Sequence, residues 1–114
     1  MSSPAEIAVE RRGGSVVAHL SGEIDMTNAK YVREQLLDSM PNDALALCVD
    51  IGGCRYLDSA AIEVLFDLSR RLARRRQELR VVMPPSSPLK RVIELTDVAT
   101  AAPVFDSLDA ALSL

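Results

Sequence analysis

The sequence predicts a single α/β domain over residues 1–114, with a mixed, mostly parallel sheet and helices packed on it. Three observations point there. Two alternating segments flank Arg12-Gly13-Gly14-Ser15, the signature of an opening β-hairpin. ALALCVDIGG, from Ala44, is a near-continuous apolar run ended by glycines, as expected for a central strand covered by helices on both faces. From the hairpin onward strand and helix patterns alternate, giving the order β-β-α-β-α-β-α-β-α, for which parallel pairing with right-handed crossovers is favoured.

In the first strand Ile7 and Val9 alternate with Ala8 and Glu10. In the second, Val16, Ala18 and Leu20 share one face while Val17 and His19 share the other. His19 is the only histidine, and its mid-strand place reads as structural. SGEIDMTNAK then makes a turn into a helix whose Ala29, Val32, Leu36 and Met40 recur at helical spacing. Thr27 is its expected N-cap, with Met26 and Tyr31 placed to pack as a hydrophobic staple. After the central strand, Ala61, Leu65, Leu68 and Leu72 form the core stripe of a second helix, widened by Ile62 and Phe66. LRVVMPP is a short strand stopped by prolines, and Ser87-Pro88 is expected to open the helix PLKRVIEL. Val104-Phe105 reads as an edge strand, and Ser107 as the N-cap of a closing helix.

Composition excludes several function classes. Aromatic residues are only 4% with no Trp, which leaves little for stacking bases or sugars. The net charge of −3 gives no general attraction to phosphate backbones. RRLARRRQELR is the one basic concentration, and it falls at a helix C-terminus, where cations complement the macrodipole. No direct nucleic-acid contact and no membrane insertion are expected, and with no secretion signal in MSSPAEIAVE the expected location is cytoplasmic. Cys48 and Cys54 form no metal-ligand cluster, and no structural disulfide is expected. No nucleophile elbow, phosphate-binding loop or zinc motif occurs, so no enzyme activity, catalytic residue, metal or cofactor is expected.

Chemistry concentrates in two segments, SGEIDMTNAKYVREQL from Ser21 and DIGGCRYLDSAAIEVL from Asp50, each read as a loop between a strand and a helix. Glu23 and Asp25, two residues apart on a turn, have no neighbour suited to tune them as catalytic carboxylates, and read as partner contacts. Asp58-Ser59 opens the second helix and reads in two ways. Either residue can cap the helix, or the Ser59 hydroxyl, exposed at a helix N-terminus, can accept a phosphate.

Together the two segments resemble the bacterial anti-sigma factor antagonists of the STAS domain family, in element order as well as in the pairing of G-E-I-D with a later L-D-S. The resemblance implies that Ser59 is phosphorylated by an anti-sigma factor serine/threonine kinase. It further implies that the unphosphorylated form binds that kinase and frees a sigma factor, and that a serine phosphatase acting on Ser59 resets the cycle. Glu23, Asp25, Thr27, Asp58, Ser59 and Ile62 would then form the partner-binding surface. Ala60 and Ala61 stand where the family usually has Ser or Thr, then Gly. Two other readings of this architecture are a stand-alone STAS subunit of a membrane lipid or anion transport system, and a small enzyme or nucleotide-binding protein.

Overall fold

The computed structural model describes residues 5–113. The chain runs β1 (Glu6–Arg12), β2 (Ser15–Ile24), α1 (Ala29–Asp38), β3 (Ala46–Leu57), α2 (Ser59–Arg74), β4 (Glu78–Val82), α3 (Lys90–Leu95), a 3-10 turn (Val98–Thr100), β5 (Val104–Phe105) and α4 (Leu108–Leu112). The five strands lie in the sheet in chain order, β1-β2-β3-β4-β5. β1 and β2 are antiparallel and every later pair is parallel, so the hairpin, the central strand and the edge strand stand as expected. Gly13 makes the hairpin turn possible at φ +60°, where a side chain would be strained.

Side-chain alternation sorts the sheet into two faces. Val16, Ala18 and Leu20 of β2 and Leu47, Val49 and Ile51 of β3 point into the main core, against the buried stripes of α1 and α2. Leu36, Leu68 and Leu72 are fully buried there, and truncating any of them to Ala costs about 2–5 kcal/mol. On the opposite face Val17, Cys48 and Val82 form a small cluster with Ala111 of α4. Helices therefore cover β3 on both faces only over its first half, and Asp50, which follows that cluster on the second face, is half-buried.

On this partly open face His19 ties three strands together. Its Nδ1 lies 2.9 Å from Asp50 Oδ2 of β3 and its Nε2 2.9 Å from Glu10 Oε2 of β1. Hydrogen bonding first to Glu10 and then to Asp50 raises the imidazole pKa above 6.5, because both carboxylates favour a ring that donates from both nitrogens.

Two strands are longer than their sequences suggest. Ser21-Gly22-Glu23-Ile24 and Gly52-Gly53 read as turn residues, yet β2 extends to Ile24 and β3 continues through both glycines to Leu57. β3 carries an extra residue opposite His19–Ser21 and another opposite Gly22–Glu23, so these are bulges that bend the strand without ending it. A Cβ at Gly53 would sit 3.0 Å from the Leu20 carbonyl oxygen, which explains glycine at the first bulge. Helix starts differ as well. α1 begins after Asn28 rather than Thr27, and α3 begins after Leu89 with no side-chain cap. Ser87 instead closes the preceding turn by accepting the Leu89 N–H at 3.1 Å. Ser107 caps α4 as expected, through the Ala110 N–H.

Cys48 and Cys54 are both buried and free. They lie in the two different clusters, and burial pushes the Cys54 thiol up to about 11. Among the described residues no helix is long and apolar enough to cross a membrane.

Candidate functional site

Parallel pairing of β2 and β3 brings the two chemically rich segments side by side, with Glu23 opposite Tyr56 and Ile24 opposite Leu57. Ile24 and Leu57 are buried and anchor the strand ends, so the chain after each emerges at the same edge of the sheet. One emerging turn enters α1 and the other enters α2, the gathering of loops at strand C-termini that α/β sheets favour.

The first turn is built by local hydrogen bonds. The Asp25 carboxylate accepts from both the hydroxyl and the backbone N–H of Thr27, the latter at 2.9 Å. These contacts hold the Asp25 carboxyl below its ordinary value, the Thr27 hydroxyl contributing most. Asn28 closes the other side, its side-chain oxygen accepting the Asp25 N–H and its amide donating to the Glu23 carbonyl, both at 3.0 Å. Thr27 is therefore a turn residue, and its hydroxyl is occupied by Asp25.

Asp58 joins the two turns. Its backbone is extended, and Oδ1 accepts the Ala61 N–H at 3.0 Å to cap α2. Oδ2 accepts the Met26 N–H of the first turn at 3.0 Å. Of the two expected cap residues, Asp58 is the cap. Ser59 is the first residue of the helix, and its side chain is exposed.

The structure brings Glu23, Asp25, Thr27, Asp58 and Ser59 together at one edge of the sheet, whereas Ile62 is mostly buried. Only 5% of Ile62 is accessible, because its place on α2 turns it toward the core. What remains of it helps line a shallow hollow with Ser59, Glu63, Phe66, Arg70 and Thr96. Ala61 is buried too, so the methyl that distinguishes it from glycine faces the interior.

Several apolar side chains that the sequence did not single out for contact are also exposed. Met26 is 80% exposed, and with Tyr31 also exposed the expected staple between them does not form. Tyr56 stands exposed next to Glu23, and Leu95 is exposed at the end of α3, one residue before Thr96. Tyr56 was hidden by the bulges, which break the alternation that would have marked it as outward-facing. Among the described residues no group of three or more His, Cys, Asp or Glu side chains is arranged to hold a metal ion.

The STAS domain family model matches residues 6–111. A protein from Bordetella bronchiseptica named as a candidate anti-sigma factor antagonist, BtrV, is 23% identical over 106 residues, covering 93% of this chain and 90% of its own. The crystal structure of an anti-sigma factor antagonist from Mycobacterium paratuberculosis superposes with a TM-score of 0.85 at 27% identity, covering 99% of this chain and 97% of that one. The anti-sigma factor antagonist SpoIIAA in its unphosphorylated form superposes with a TM-score of 0.73 at 14% identity, covering 94% and 93%.

Proposed function

The chain belongs to the STAS domain family, and on that premise we propose that it is an anti-sigma factor antagonist controlled by phosphorylation of Ser59. In this reading the unmodified protein binds an anti-sigma factor that is a serine/threonine kinase, and so releases a sigma factor. The kinase then phosphorylates Ser59, the complex separates, and a serine phosphatase restores the antagonist. The observation that carries the reading is the place of Ser59: exposed, first in α2, and directly after an aspartate that locks the two motif turns together.

Electrostatics supports the same cycle. A phosphate adds about −1.5 to −2 charges and three acceptor oxygens. Within the monomer, the helix dipole and the first-turn amides of Ser59 and Ala60 are the groups such an anion would meet, so folding tolerates it. A partner lying over Ser59 would have to bury it beside Asp58, and uncompensated burial of charge is costly. The switch therefore acts on the complex and spares the fold.

The test is incubation of the protein with ATP and the purified serine-kinase anti-sigma factors of its own organism, followed by mass-spectrometric mapping. One phosphate is expected, on Ser59, and Ser59→Ala abolishes it. A phosphate mapped to Ser21 or Ser86 instead would overturn the assignment.

A further inference from the structure

The groove between α1 and α2 holds more cationic donors than its own carboxylates satisfy. Lys30 and Arg33 line it from α1, and Glu63, Asp67 and Arg70 from α2. Asp67 is shared among three guanidiniums. Arg71 Nε makes a good hydrogen bond to Oδ2 at 2.8 Å, whereas Arg33 Nη1 stands at 3.5 Å from Oδ2 and Arg70 Nη2 at 3.6 Å from Oδ1. The last two lengths are at or beyond the limit of a useful hydrogen bond. Arg33 Nε is buried and has no acceptor. A buried donor without an acceptor is unfavourable, so this guanidinium depends for its partners on the Nη groups that face the groove.

This groove belongs to the same surface as Ser59. Arg70 and Glu63 line both the groove and the hollow that contains Ser59. Arg70 follows Ser59 by eleven residues of α2, which is about three turns and about 16 Å of helix, so both project from one face. A protein interface of ordinary size buries about 800 Å² on each partner, a patch about 30 Å across. A partner seated over Ser59 therefore reaches Arg70 and the groove.

We infer that this groove receives an acidic side chain of the anti-sigma partner, whose carboxylate accepts from Arg33 and Arg70. The inference rests on the proposed function and adds a contact that is independent of Ser59. A protein carboxylate suits the groove better than a nucleic acid does. An extended polyanion would also meet Glu23, Asp25 and Asp58 nearby on a chain of net charge −3, whereas a single carboxylate meets Lys30, Arg33 and Arg70 with Glu63 and Asp67 as the only acids lining the groove.

The experiment is calorimetric titration of the purified anti-sigma factor kinase into the parent protein and into Arg33→Gln, Arg70→Gln and Arg74→Gln at two salt concentrations. Each variant loses one positive charge, so Arg74→Gln, outside the groove, controls for net charge. Arg33→Gln and Arg70→Gln are expected to bind about tenfold more weakly or worse, with a smaller salt dependence than the parent. Arg74→Gln is expected to stay within about twofold. If both groove variants bind like the parent, or if Arg74→Gln loses as much as they do, the inference falls and the proposed function stands. If the parent itself binds no anti-sigma factor, both fall. Should Arg33→Gln fail to fold, Arg70→Gln carries the test, because the Arg70 side chain is 58% exposed.

Discussion

Asp58 accepts the backbone N–H of Met26 across 32 residues of chain, at 3.0 Å, while its other oxygen caps α2. One side chain thus sets the start of the helix and the spacing of the two turns. Asp58→Ala is expected to cost about 1–2 kcal/mol by urea denaturation, the upper part of the usual range for a lost cap, because two backbone donors lose their acceptor. Hydrogen exchange at the Met26 amide should speed up alongside. An unchanged exchange rate there would mean that the link between the turns contributes nothing.

Ser59→Glu places one negative charge at the centre of the surface. If buried without a counter-ion under a partner, it costs on the order of 3 kcal/mol, or about a hundredfold in affinity for the anti-sigma factor. Stability should hardly change, since a helix N-terminus accepts negative charge. Titration and thermal melting on the same sample check both halves. Ser59 and Arg70 are far enough apart for their effects to add, so Ser59→Glu combined with Arg70→Gln should show the sum of the two losses.

Ala61 stands where the family usually has glycine, and its burial makes the difference one of stability. Ala61→Gly should destabilise by about 2 kcal/mol, combining about 1 kcal/mol of helix propensity with about 0.8 kcal/mol for the buried methyl. The rate of Ser59 phosphorylation should stay at the parent value. A faster rate would show that the kinase reads the backbone at this position.

α2 ends in a turn where the Gln77 N–H donates to the Leu72 carbonyl and the Arg76 N–H to that of Ala73. Arg76 holds the left-handed conformation at φ 57°, a position that glycine occupies without strain. Arg76→Gly is therefore expected to stabilise the protein by about 1 kcal/mol, read as a raised melting temperature. A lowered melting temperature would mean that the arginine side chain makes up for its backbone.

The His19 tie should make stability depend on pH in a defined direction. The folded-state pKa of His19 is raised above 6.5, so its contribution is fully present below 6.5 and is lost as pH rises through the higher folded value. Glu10 has the opposite sign. Its pKa is lowered below 4.5, chiefly by His19, so its contribution is present above 4.5 and is lost on acidification through the folded value. The tie is strongest between those limits. Melting temperature measured from about pH 5 to about pH 9 should fall as the pH rises beyond 6.5 in the parent and run flatter in His19→Gln. Parallel curves for the two proteins would assign the dependence elsewhere.

Elements with a clean period were legible in advance. The hairpin, the central strand, the stripe of α2 and the Ser107 cap all depend on nearest neighbours in sequence. The ends of β2 and β3 were not, because Ser21-Gly22 and Gly52-Gly53 have turn chemistry, and only pairing with the adjacent strand reveals bulges. Asp58-Ser59 was legible as a helix start, but the hold of Asp58 on Met26 is tertiary. Ile62 is buried as its place in the widened stripe of α2 implies, and the little of it that is accessible lies in the hollow beside Ser59. Arg33 and Asp67 lie 34 residues apart, and only the packing of α1 on α2 makes them neighbours.

The sheet lists its strands in the order in which a ribosome makes them. Each new strand finds its pairing edge already present on the strand before it, and no segment has to wait for a distant one or thread past it. The entropic cost of closing loops is then met in short instalments, which favours rapid folding. Assembly can begin while the chain is still being synthesised, with the hairpin as the first edge and the two-residue β5 as the last addition.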